Sequence, residues 1–600
     1  MGSAMGIRGQ RSATAGATTA KTLLVVDCGS VFTKAALLGQ VEGKHRLLAA
    51  TQVPTSAMPP HADVMHGIRA AIVELEHIHG RALLRGEQVV AAVPGQPDGV
   101  DGVALVLSAG GPLRLLTLGP GHQNLAALVQ QATSGLFAAV EAIPAGMASP
   151  RGRASAEWEQ WIARSRATPP HAVLVVGNET PGQHGRSDLT QATRLILAYL
   201  DAAPPPASDG SGAEVLPVIY TGTAEDAASL QVALKGRALV QRLEPLAPAT
   251  LSRLNQTTSA VYESRVLRQV LGYESARALA TAAPASAITS LTGVVRYLGQ
   301  RYQMNVIAAD ICASASALVG ANARGAFVPY LLPTLGVGPG AGAVLRQVGA
   351  KQIARWLMEP IGDDELRNYI VGRMLRPGLV PGSGRELEIE HALAREIILQ
   401  AMLASDSALA GLRPVDVILG TGGALAHAPQ PAQAALLLLD AFQPRGITSL
   451  VLDVAQITTM LGGAAGLDPT IAGEVAEGDA VMARLGTVVS TFGATSYNQP
   501  AVRVVLEYGD GRRQVEDVMP GMLVRLPLGP GERGLLSLMP APMVDIGLGP
   551  GQQARASDPL EGGLLGLVID TRGRPLPSLA EAERNQAKLR EWRAALDVSY

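Results

Sequence analysis

The first candidate for chemistry is an aspartate at the end of an apolar run, followed by a tight turn. The string VVDCGSVFTK carries Asp27, Gly29, Ser30, Thr33 and Lys34. The backbone N–H groups and hydroxyls of such a hairpin can bind phosphate oxygens, and Lys34 adds a positive charge. Asp27 can hold Mg²⁺ through water. The alternative is an ordinary hairpin with an aspartate at its turn.

A second string, VIAADICASASALVGA, has a similar layout around Asp310. An apolar strand again leads to an aspartate, a turn of small residues and two hydroxyls, those of Ser314 and Ser316. Two such hairpins, one from each lobe, would close on a nucleotide from both sides. The CASAS turn contains no glycine, so its backbone approaches a phosphate less freely. Ser314 and Ser316 are therefore also open to interpretation as plain turn residues.

A third string, VILGTGGALAHAP, places Gly420, Thr421, Gly422 and Gly423 between a strand and a helix. Glycines in such a turn allow the backbone to pass close to a flat ligand, here an adenosine. The alternative is a close-packed corner without a ligand. His427, just inside the helix, is interpreted as a packing or capping residue.

These strings need a framework of strands and helices to position them. Thr22 to Asp27 and the strand after it begin an antiparallel meander, and Asp63 to His79 has helical spacing. Strands then alternate with helices, the rhythm of a parallel sheet. His122 to Ala142 is predicted to be mostly helical. After about Pro469, short strands between Gly and Pro predict a small all-β appendage, followed by a charged helix.

Composition limits the class of protein. Of 600 residues, 47 % are hydrophobic and 17 % charged, which allows large cores and argues against general disorder. The formal net charge of -2 offers no basic footprint for nucleic acid. Two cysteines without zinc spacing are typical of a reducing cytoplasm. No apolar run predicts a membrane span, and residues 1–20 are predicted to be a disordered leader.

The order of the three strings is that of the phosphate, phosphate and adenosine motifs of the actin-like ATPase superfamily. DCGSVFTK resembles the DFGSTYTK-type opening of the glutamate mutase accessory protein family, called MutL or GlmL and unrelated to the mismatch-repair protein. VLVVGNETPGQ, LPVIYTG, the LGVG near Leu335 and GTGGALAH resemble the same family in the same order. The resemblance spans about residues 21 to 470, and the opening string and the glycine turn are its most specific parts.

The resemblance implies an α/β fold of the two-lobed, actin-like ATPase type, a duplicated ribonuclease H-like fold, with a C-terminal all-β domain added. Residues 21–288 are expected to form the first lobe and 289–472 the second lobe, which carries the adenosine motif. Residues 473–578 would form the β domain and 579–600 a final helix. ATP and Mg²⁺ are expected in the cleft between the lobes.

The same resemblance implies a role for each selected residue. Asp27 and Asp310 are expected to be the catalytic carboxylates that hold Mg²⁺. The residues expected to face the phosphates and the adenosine are Gly29, Ser30, Thr33, Lys34, Ser314, Ser316, Gly420, Thr421, Gly422 and Gly423.

The implied function is that of an ATP-binding chaperone or reactivating factor for an adenosylcobalamin-dependent carbon-skeleton mutase. One departure is important. Where the family usually reads DIGGATTD, this sequence has Cys312 and Ala313 in place of the two glycines and Ala317 in place of the last aspartate. Hydrolysis depends on positioning and electrostatics at the phosphate oxygens. A stiffer loop and a lost carboxylate therefore predict weak or absent ATPase activity.

Two other functions stay open at this point. A small-molecule kinase of the same superfamily would need a general base, for which Glu179 and Asp188 are weak candidates; their interpretation as surface loop charges is favoured. A polymer-forming protein of the actin kind would use the β domain for assembly. Homo-oligomers or filaments are therefore alternatives to a mutase as the partner.

Overall fold

Two compact units make up the part of the chain that the structure, a computed structural model, describes. This part comprises residues 22–119, 129, 132–133, 136–144, 156–177, 183–202, 215–478, 481–493, 498–576 and 582–600. The first unit lies within Met1–His61, Met65–Leu107 and Ser275–Tyr600, and the second within Ala62–Val64 and Ser108–Glu274. The predicted leader, Glu179 and the side chain of Asp188 lie outside the described residues. No helix among those described is long and apolar enough to cross a membrane.

Strands are numbered here in chain order. They are β1 (Thr22–Cys28), β2 (Phe32–Val41), β3 (Lys44–Pro54), β4 (Leu84–Arg85), β5 (Gln88–Val89), β6 (Gly102–Leu107), β7 (Leu113–Gly119), β8 (Ala138–Pro144), β9 (Ala172–Val176), β10 (Leu216–Thr221), β11 (Ala238–Leu243), β12 (Val306–Ile311), β13 (Ser316–Ala321), β14 (Phe327–Leu332), β15 (Val417–Thr421), β16 (Gly446–Leu452), β17 (Ala483–Ser490), β18 (Phe492–Gly493), β19 (Val502–Tyr508), β20 (Arg513–Val518), β21 (Leu523–Leu526), β22 (Arg533–Pro540), β23 (Val544–Asp545), β24 (Ala554–Arg555), β25 (Leu560–Glu561) and β26 (Gly566–Asp570).

The α-helices follow the same numbering. They are α1 (Val64–His79), α2 (Ala156–Ala167), α3 (Gln183–Ala202), α4 (Ala224–Ala233), α5 (Leu251–Arg265), α6 (Tyr273–Leu279), α7 (Ala287–Tyr302), α8 (Ala341–Val348), α9 (Ala350–Ala354), α10 (Asp363–Leu375), α11 (Gly384–Leu409), α12 (Gly423–Ala426), α13 (Pro431–Phe442), α14 (Thr458–Ala465), α15 (Pro469–Ala476) and α16 (Ala582–Ala595).

A four-stranded sheet in the order β3-β2-β1-β6 carries the first hairpin. Strand β1 pairs antiparallel with β2 and parallel with β6, and all of its residues are buried, as its apolar sequence predicts. Asp27 is directly opposite Lys34, and Cys28 is directly opposite Thr33. Because successive side chains of a strand point to opposite faces, Asp27 and Lys34 share one face and the other pair shares the second.

An eight-stranded sheet in the order β14-β13-β12-β15-β16-β17-β26-β21 begins with the same pattern. Strands β12, β13 and β14 form an antiparallel meander, and β15 lies parallel to β12 as β6 lies parallel to β1. Asp310 is directly opposite Ala317, as Asp27 is opposite Lys34 in the first sheet. The repeated arrangement confirms the predicted α/β fold with a duplicated unit.

The C-terminal strands are divided among three sheets, of which the smallest is the antiparallel pair of β18 and β23. Strands β19, β20, β22, β24 and β25 form a sheet of their own, which confirms the all-β character predicted for this region. Strands β17, β21 and β26 instead extend the eight-stranded sheet, because β17 pairs antiparallel with β16 and parallel with β26. The predicted boundaries of the lobes and the β domain stay predictions.

The second unit contains a five-stranded sheet in the order β11-β10-β9-β7-β8, in which every neighbouring pair is parallel. The helix predicted for His122 to Ala142 is wrong at its end, where Ala138–Pro144 forms β8. Pairing with β7 along its whole length overrides the helix preference of its alanines. Residues 122–128, 130–131 and 134–135 of that prediction lie outside the described residues.

The last helix packs into the core of the eight-stranded sheet. Leu589, Trp592 and Leu596 are buried in one cluster with Ile307 of β12 and Leu450 of β16. The Trp592 ring also covers a buried guanidinium of the first unit, which lies 4.7 Å from the ring centre. Helix α16 therefore belongs to this core and is not a solvated appendage.

That guanidinium belongs to Arg572, which is fully buried between two carboxylates. It contacts Asp440 Oδ1 at 2.7 Å and Asp570 Oδ2 at 2.8 Å. Asp440 also pairs with Arg395, and Asp570 also pairs with Arg574. Burial disfavours the charge of Asp570, but its two arginines hold the pKa of this carboxyl well below its usual range. The network joins β26 to helices α11 and α13.

Replacement of Arg572 tests how much the network stabilises the first unit. Arg572→Met should destabilise it by about 3–5 kcal/mol, because two carboxylates lose a partner where water cannot replace it. The measurement is the thermal midpoint of unfolding. Arg503→Met, which breaks the exposed pair with Asp517 on β19 and β20, is the matched control and should leave the midpoint unchanged. Equal midpoints for the two variants would contradict the assignment.

Candidate functional site

The first hairpin places a carboxylate and an ammonium group side by side. Asp27, near the end of β1, lies opposite Lys34 on β2. Thr459 Oγ1, in the first turn of α14, donates a 2.7 Å hydrogen bond to Asp27 Oδ2. The turn requires its glycine, because a Cβ at Gly29 would lie 2.9 Å from the Phe32 carbonyl oxygen. The tight turn thus holds both charged side chains at the carboxyl end of β1.

Two of the selected hydroxyls face away from these charges. The Thr33 hydroxyl donates to Cys28 Sγ at 3.7 Å in the interior, where burial raises the pKa of the Cys28 thiol to about 12. Ser316 has the equivalent position in the second hairpin, opposite Ile311. It is buried, and its hydroxyl has no hydrogen-bond partner among the described residues. The structure therefore does not bring Thr33 and Ser316 together with Asp27.

The carboxylate of the second hairpin is surrounded by other ionisable groups. Burial raises the pKa of Asp310 above its ordinary value, while the Cys312 thiol and Lys34 act in the opposite direction. The Cys312 Sγ donates to Asp310 Oδ1 at 3.1 Å. Asp27 and Asp453 raise the pKa of Asp310 further. Carboxylates from both hairpins therefore lie within electrostatic reach of each other.

The turns of the two hairpins meet directly. Ser30 Oγ donates a 2.8 Å hydrogen bond to Ser314 Oγ, although 284 residues separate them in the chain. Burial disfavours the charge of Lys34, but the acidic groups around it, Asp27 foremost and Asp310 among them, hold the pKa of Lys34 above its ordinary value. The structure thus gathers two carboxylates, one lysine and two hydroxyls from the selected set.

The glycine turn after β15 packs against Asp310. Gly422 has φ +86°, and a Cβ there would lie 2.6 Å from Asp310 Oδ1 and 2.5 Å from the Ile311 carbonyl oxygen. Only glycine is compatible with this conformation and this contact. Gly420 has a different role, because its Cβ position lies 3.2 Å from a methyl group of Leu438 in the core. Gly423 leaves its Cβ position open.

Asp453 was not predicted from the sequence to be a site residue, yet its hydrogen bonds connect the glycine turn to the start of α14. It is fully buried and accepts hydrogen bonds from Thr421 Oγ1 at 2.9 Å, from the N–H groups of Ile457 and Thr458, and from Thr458 Oγ1 at 2.6 Å. It caps the start of α14, the helix whose Thr459 binds Asp27. Asp453 lies five residues before the first residue of α14, whose N-cap position is occupied by Ile457, so the usual N-cap signal would not have revealed it.

The LGVGPG loop before α8 clamps the second turn. The Gly338 N–H donates to the Ala313 carbonyl at 2.8 Å, and the Val337 N–H donates to the Cys312 carbonyl at 3.1 Å. A Cβ at Gly336 would lie only 2.3 Å from the Ala313 carbonyl oxygen, so the loop can approach only because it has glycine there. The CASAS turn is therefore held by backbone contacts.

The donor set of this cluster suits a metal–triphosphate ligand. The carboxylates of Asp27 and Asp310 are hard oxygen ligands of the kind that Mg²⁺ binds. Lys34 supplies a positive charge for phosphate oxygens. Among the described residues, no group of three or more histidine, cysteine or acidic side chains could hold an ion alone. Mg²⁺ would therefore need phosphate and water as further ligands.

A comparison with protein families decides the relationship. The model of the MutL protein family matches residues 23–480, a range that contains both hairpins and the glycine turn. The chain belongs to this family. The resemblance drawn from the sequence strings is thereby confirmed. The MutL match ends just before β17, so the last ten strands and α16 lie outside it.

Solved structures give more distant likenesses to this MutL chain, and no curated protein matches it. It is similar to nucleotide-free acetone carboxylase, with 11 % identity over 83 % of this chain and 81 % of that chain and a TM-score of 0.34. It is also similar to component A of the (R)-2-hydroxyglutaryl-CoA dehydratase of Acidaminococcus fermentans. The identity there is 9 % over 74 % of this chain and 96 % of that chain, with a TM-score of 0.26. A third similar structure is a diol dehydratase-reactivating factor in nucleotide-free form. The identity is 10 % over 74 % of this chain and 99 % of that chain, with a TM-score of 0.29.

Substitution of Asp310 should reveal a conflict between stability and function in this MutL chain. A carboxyl whose pKa is raised by burial is ionised at the expense of folding free energy. Asp310→Asn should therefore raise the thermal midpoint at pH 7 by about 2 °C. The gain should vanish in acid, because Asp310 is then protonated in both the folded and the unfolded state.

The matched control is the neighbouring carboxylate that is fully hydrogen-bonded. Asp453→Asn should lower the midpoint, because its amide is a weaker acceptor for the four donors around it. Both variants are compared by thermal scans at about pH 3 and at pH 7, because an unfolded aspartate has a pKa of about 3.9. If Asp310→Asn destabilises as much as Asp453→Asn, Asp310 is a structural residue and the interpretation is wrong.

Proposed function

We propose that this MutL-family chain is an ATP-binding accessory factor that reactivates an adenosylcobalamin-dependent carbon-skeleton mutase. The proposal that the chain binds a nucleotide rests on one observation, the meeting of two equivalent hairpins. There Asp27, Asp310 and Lys34 lie within electrostatic reach of one another, and Ser30 contacts Ser314. Family membership carries the accessory role. The free, largely buried thiols favour a reducing compartment, the cytoplasm, as its place of action.

Different residues of the site would bind the phosphates, the Mg²⁺ ion and the adenosine. Lys34 and the turn hydroxyls would bind phosphate oxygens, and Asp27 and Asp310 would hold Mg²⁺ through water. The glycine turn would face the adenosine on the side of Gly423, which carries no side chain to obstruct it, while Gly422 packs against Asp310. ATP supplies the energy-rich phosphate bond; the chain's own residues bind it, neutralise its charge and orient it.

Three features favour slow hydrolysis. The Cys312 thiol binds one oxygen of Asp310, and the clamped CASAS turn cannot close freely around a phosphate. Ala317 faces Asp310 across the strand pair, where the family usually has a carboxylate that could orient water or metal. Because hydrolysis depends on such positioning, we infer that this chain binds the nucleotide but hydrolyses it slowly.

Removal of the lysine tests the binding site and its use together. Lys34→Met should weaken Mg-ATP binding by about 10- to 100-fold, the effect of losing a charge-assisted hydrogen bond. The measurement is an equilibrium titration with Mg-ATP. The same variant should fail to restore activity to an inactivated adenosylcobalamin-dependent mutase that wild type reactivates with Mg-ATP.

Lys351→Met, on the exposed surface of α9, is the matched control and should behave as wild type. Unchanged Mg-ATP binding by Lys34→Met would contradict the site. Normal binding without any mutase reactivation by wild type would contradict the accessory role alone.

Restoring the family pattern should increase hydrolysis. The triple variant Cys312→Gly, Ala313→Gly, Ala317→Asp removes the thiol from Asp310, makes the backbone of the turn more flexible, and returns a carboxylate opposite Asp310. Phosphate release should rise at least about tenfold, because positioned charge acts directly on the transition state. The control carries Ala317→Asn in the same background and should remain slow. Equal rates for the two triple variants would remove the carboxylate from the explanation.

A further inference from the structure

Two polar atoms from different segments converge over Gly423, at the start of the glycine turn's helix. A Cβ built on Gly423 would lie 3.9 Å from His427 Nδ1 and 4.0 Å from Gln456 Oε1, with nothing closer. Among the described residues, neither of these two atoms has a hydrogen-bond partner. The space over Gly423 is therefore bordered by two unused polar atoms.

The two side chains fix each other's hydrogen-bonding roles. Gln456 Nε2 donates to His427 Nε2, so the ring proton lies on Nδ1. His427 Nδ1 then offers a donor to the space over Gly423, and Gln456 Oε1 offers an acceptor. Rotating the amide by 180° would exchange the two roles and leave the same set, one donor and one acceptor. Partial desolvation and the charge of Lys34 lower the pKa of His427 below its ordinary value, although the side chain is exposed.

The backbone holds Gln456 in an uncommon conformation. Its φ is +51°, in the left-handed region that residues other than glycine rarely adopt. Its N–H donates to the carbonyl of Asp453 at 3.3 Å, and its side chain is almost fully buried. The turn that caps α14 at Asp453 thus also directs the Gln456 amide towards His427. Conformational strain of this kind is commonly retained where it positions a functional group.

We propose that His427 and Gln456 form a clamp for a ribose hydroxyl and make the site selective for ribonucleotides. A hydroxyl both donates and accepts, which matches one donor beside one acceptor. A phosphate oxygen only accepts, and Gln456 Oε1 would repel it. The inference rests on the proposed function, because it assigns the sugar of the nucleotide that Asp27, Lys34 and Asp310 would hold by its phosphates.

The test compares Mg-ATP with its 2′-deoxy and 3′-deoxy analogues in equilibrium titrations. Wild type should bind ATP about tenfold more tightly than at least one analogue, the effect of one hydrogen bond of about 1.4 kcal/mol. Gln456→Asn tolerates the left-handed backbone but withdraws the amide by one methylene. It should bind ATP only as tightly as wild type binds that analogue, and its affinity for the analogue should not change.

A second variant guards against a backbone effect. His427→Leu keeps the volume of the ring side chain roughly constant, leaves the Gln456 backbone untouched, and should also abolish the preference for ATP. Equal binding of ATP and both analogues by wild type would overturn the clamp while leaving the proposed function intact. Retention of the preference by both variants would overturn it as well. Absence of any Mg-ATP binding by wild type would overturn the clamp and the proposed nucleotide site together.

Discussion

The meeting of two separate hairpins, one with Asp27 and Lys34 and the other with Asp310, is the constraint on which the candidate site depends. Burial opposes the charges of both Lys34 and Asp310. The acidic groups around Lys34 hold its pKa above the ordinary value, whereas Lys34 does not fully compensate the burial of Asp310, whose pKa stays raised. In both sheets the aspartate is the last residue but one of its strand and lies opposite a residue of the returning strand. Acidic groups outnumber the lysine, since Asp453 also contributes to its surroundings. The resulting excess of negative charge suits a divalent cation, whereas the lysine suits a phosphate.

Helix α14 links the separate parts of the site through its first turn. Asp453 accepts hydrogen bonds from the Thr421 hydroxyl of the glycine turn and from the N–H groups at the start of the helix. Thr459, one residue into the helix, donates to Asp27 of the other sheet. Gln456, between them, takes its left-handed conformation within the same turn. One turn and the helix start that follows it therefore orient both the Asp27 carboxylate and the Gln456 amide.

The hairpins and the glycine turn could be predicted because their signals are local. Each signal is an apolar strand followed by an aspartate or glycines in a turn and then by the next strand or helix. The inward direction of Thr33 and Ser316 depends on the pairing register, which a string of letters does not contain. Thr459 has no local signal, because its partner lies 432 residues earlier in the chain. Strand β8 was missed because its alanines favour a helix in isolation, and only its neighbour β7 makes it extended.

The eight-stranded sheet has a consequence for how the protein is made. Its strand β16 pairs with β17, and β17 pairs with β26, more than a hundred residues after β16. The core that supports Asp310 also includes Trp592 near the end of the sequence. A ribosome must therefore release the chain at least as far as Asp570 before this sheet is complete. Until then a buried strand edge stays unpaired, which favours slow folding and makes the nascent chain dependent on protection from aggregation.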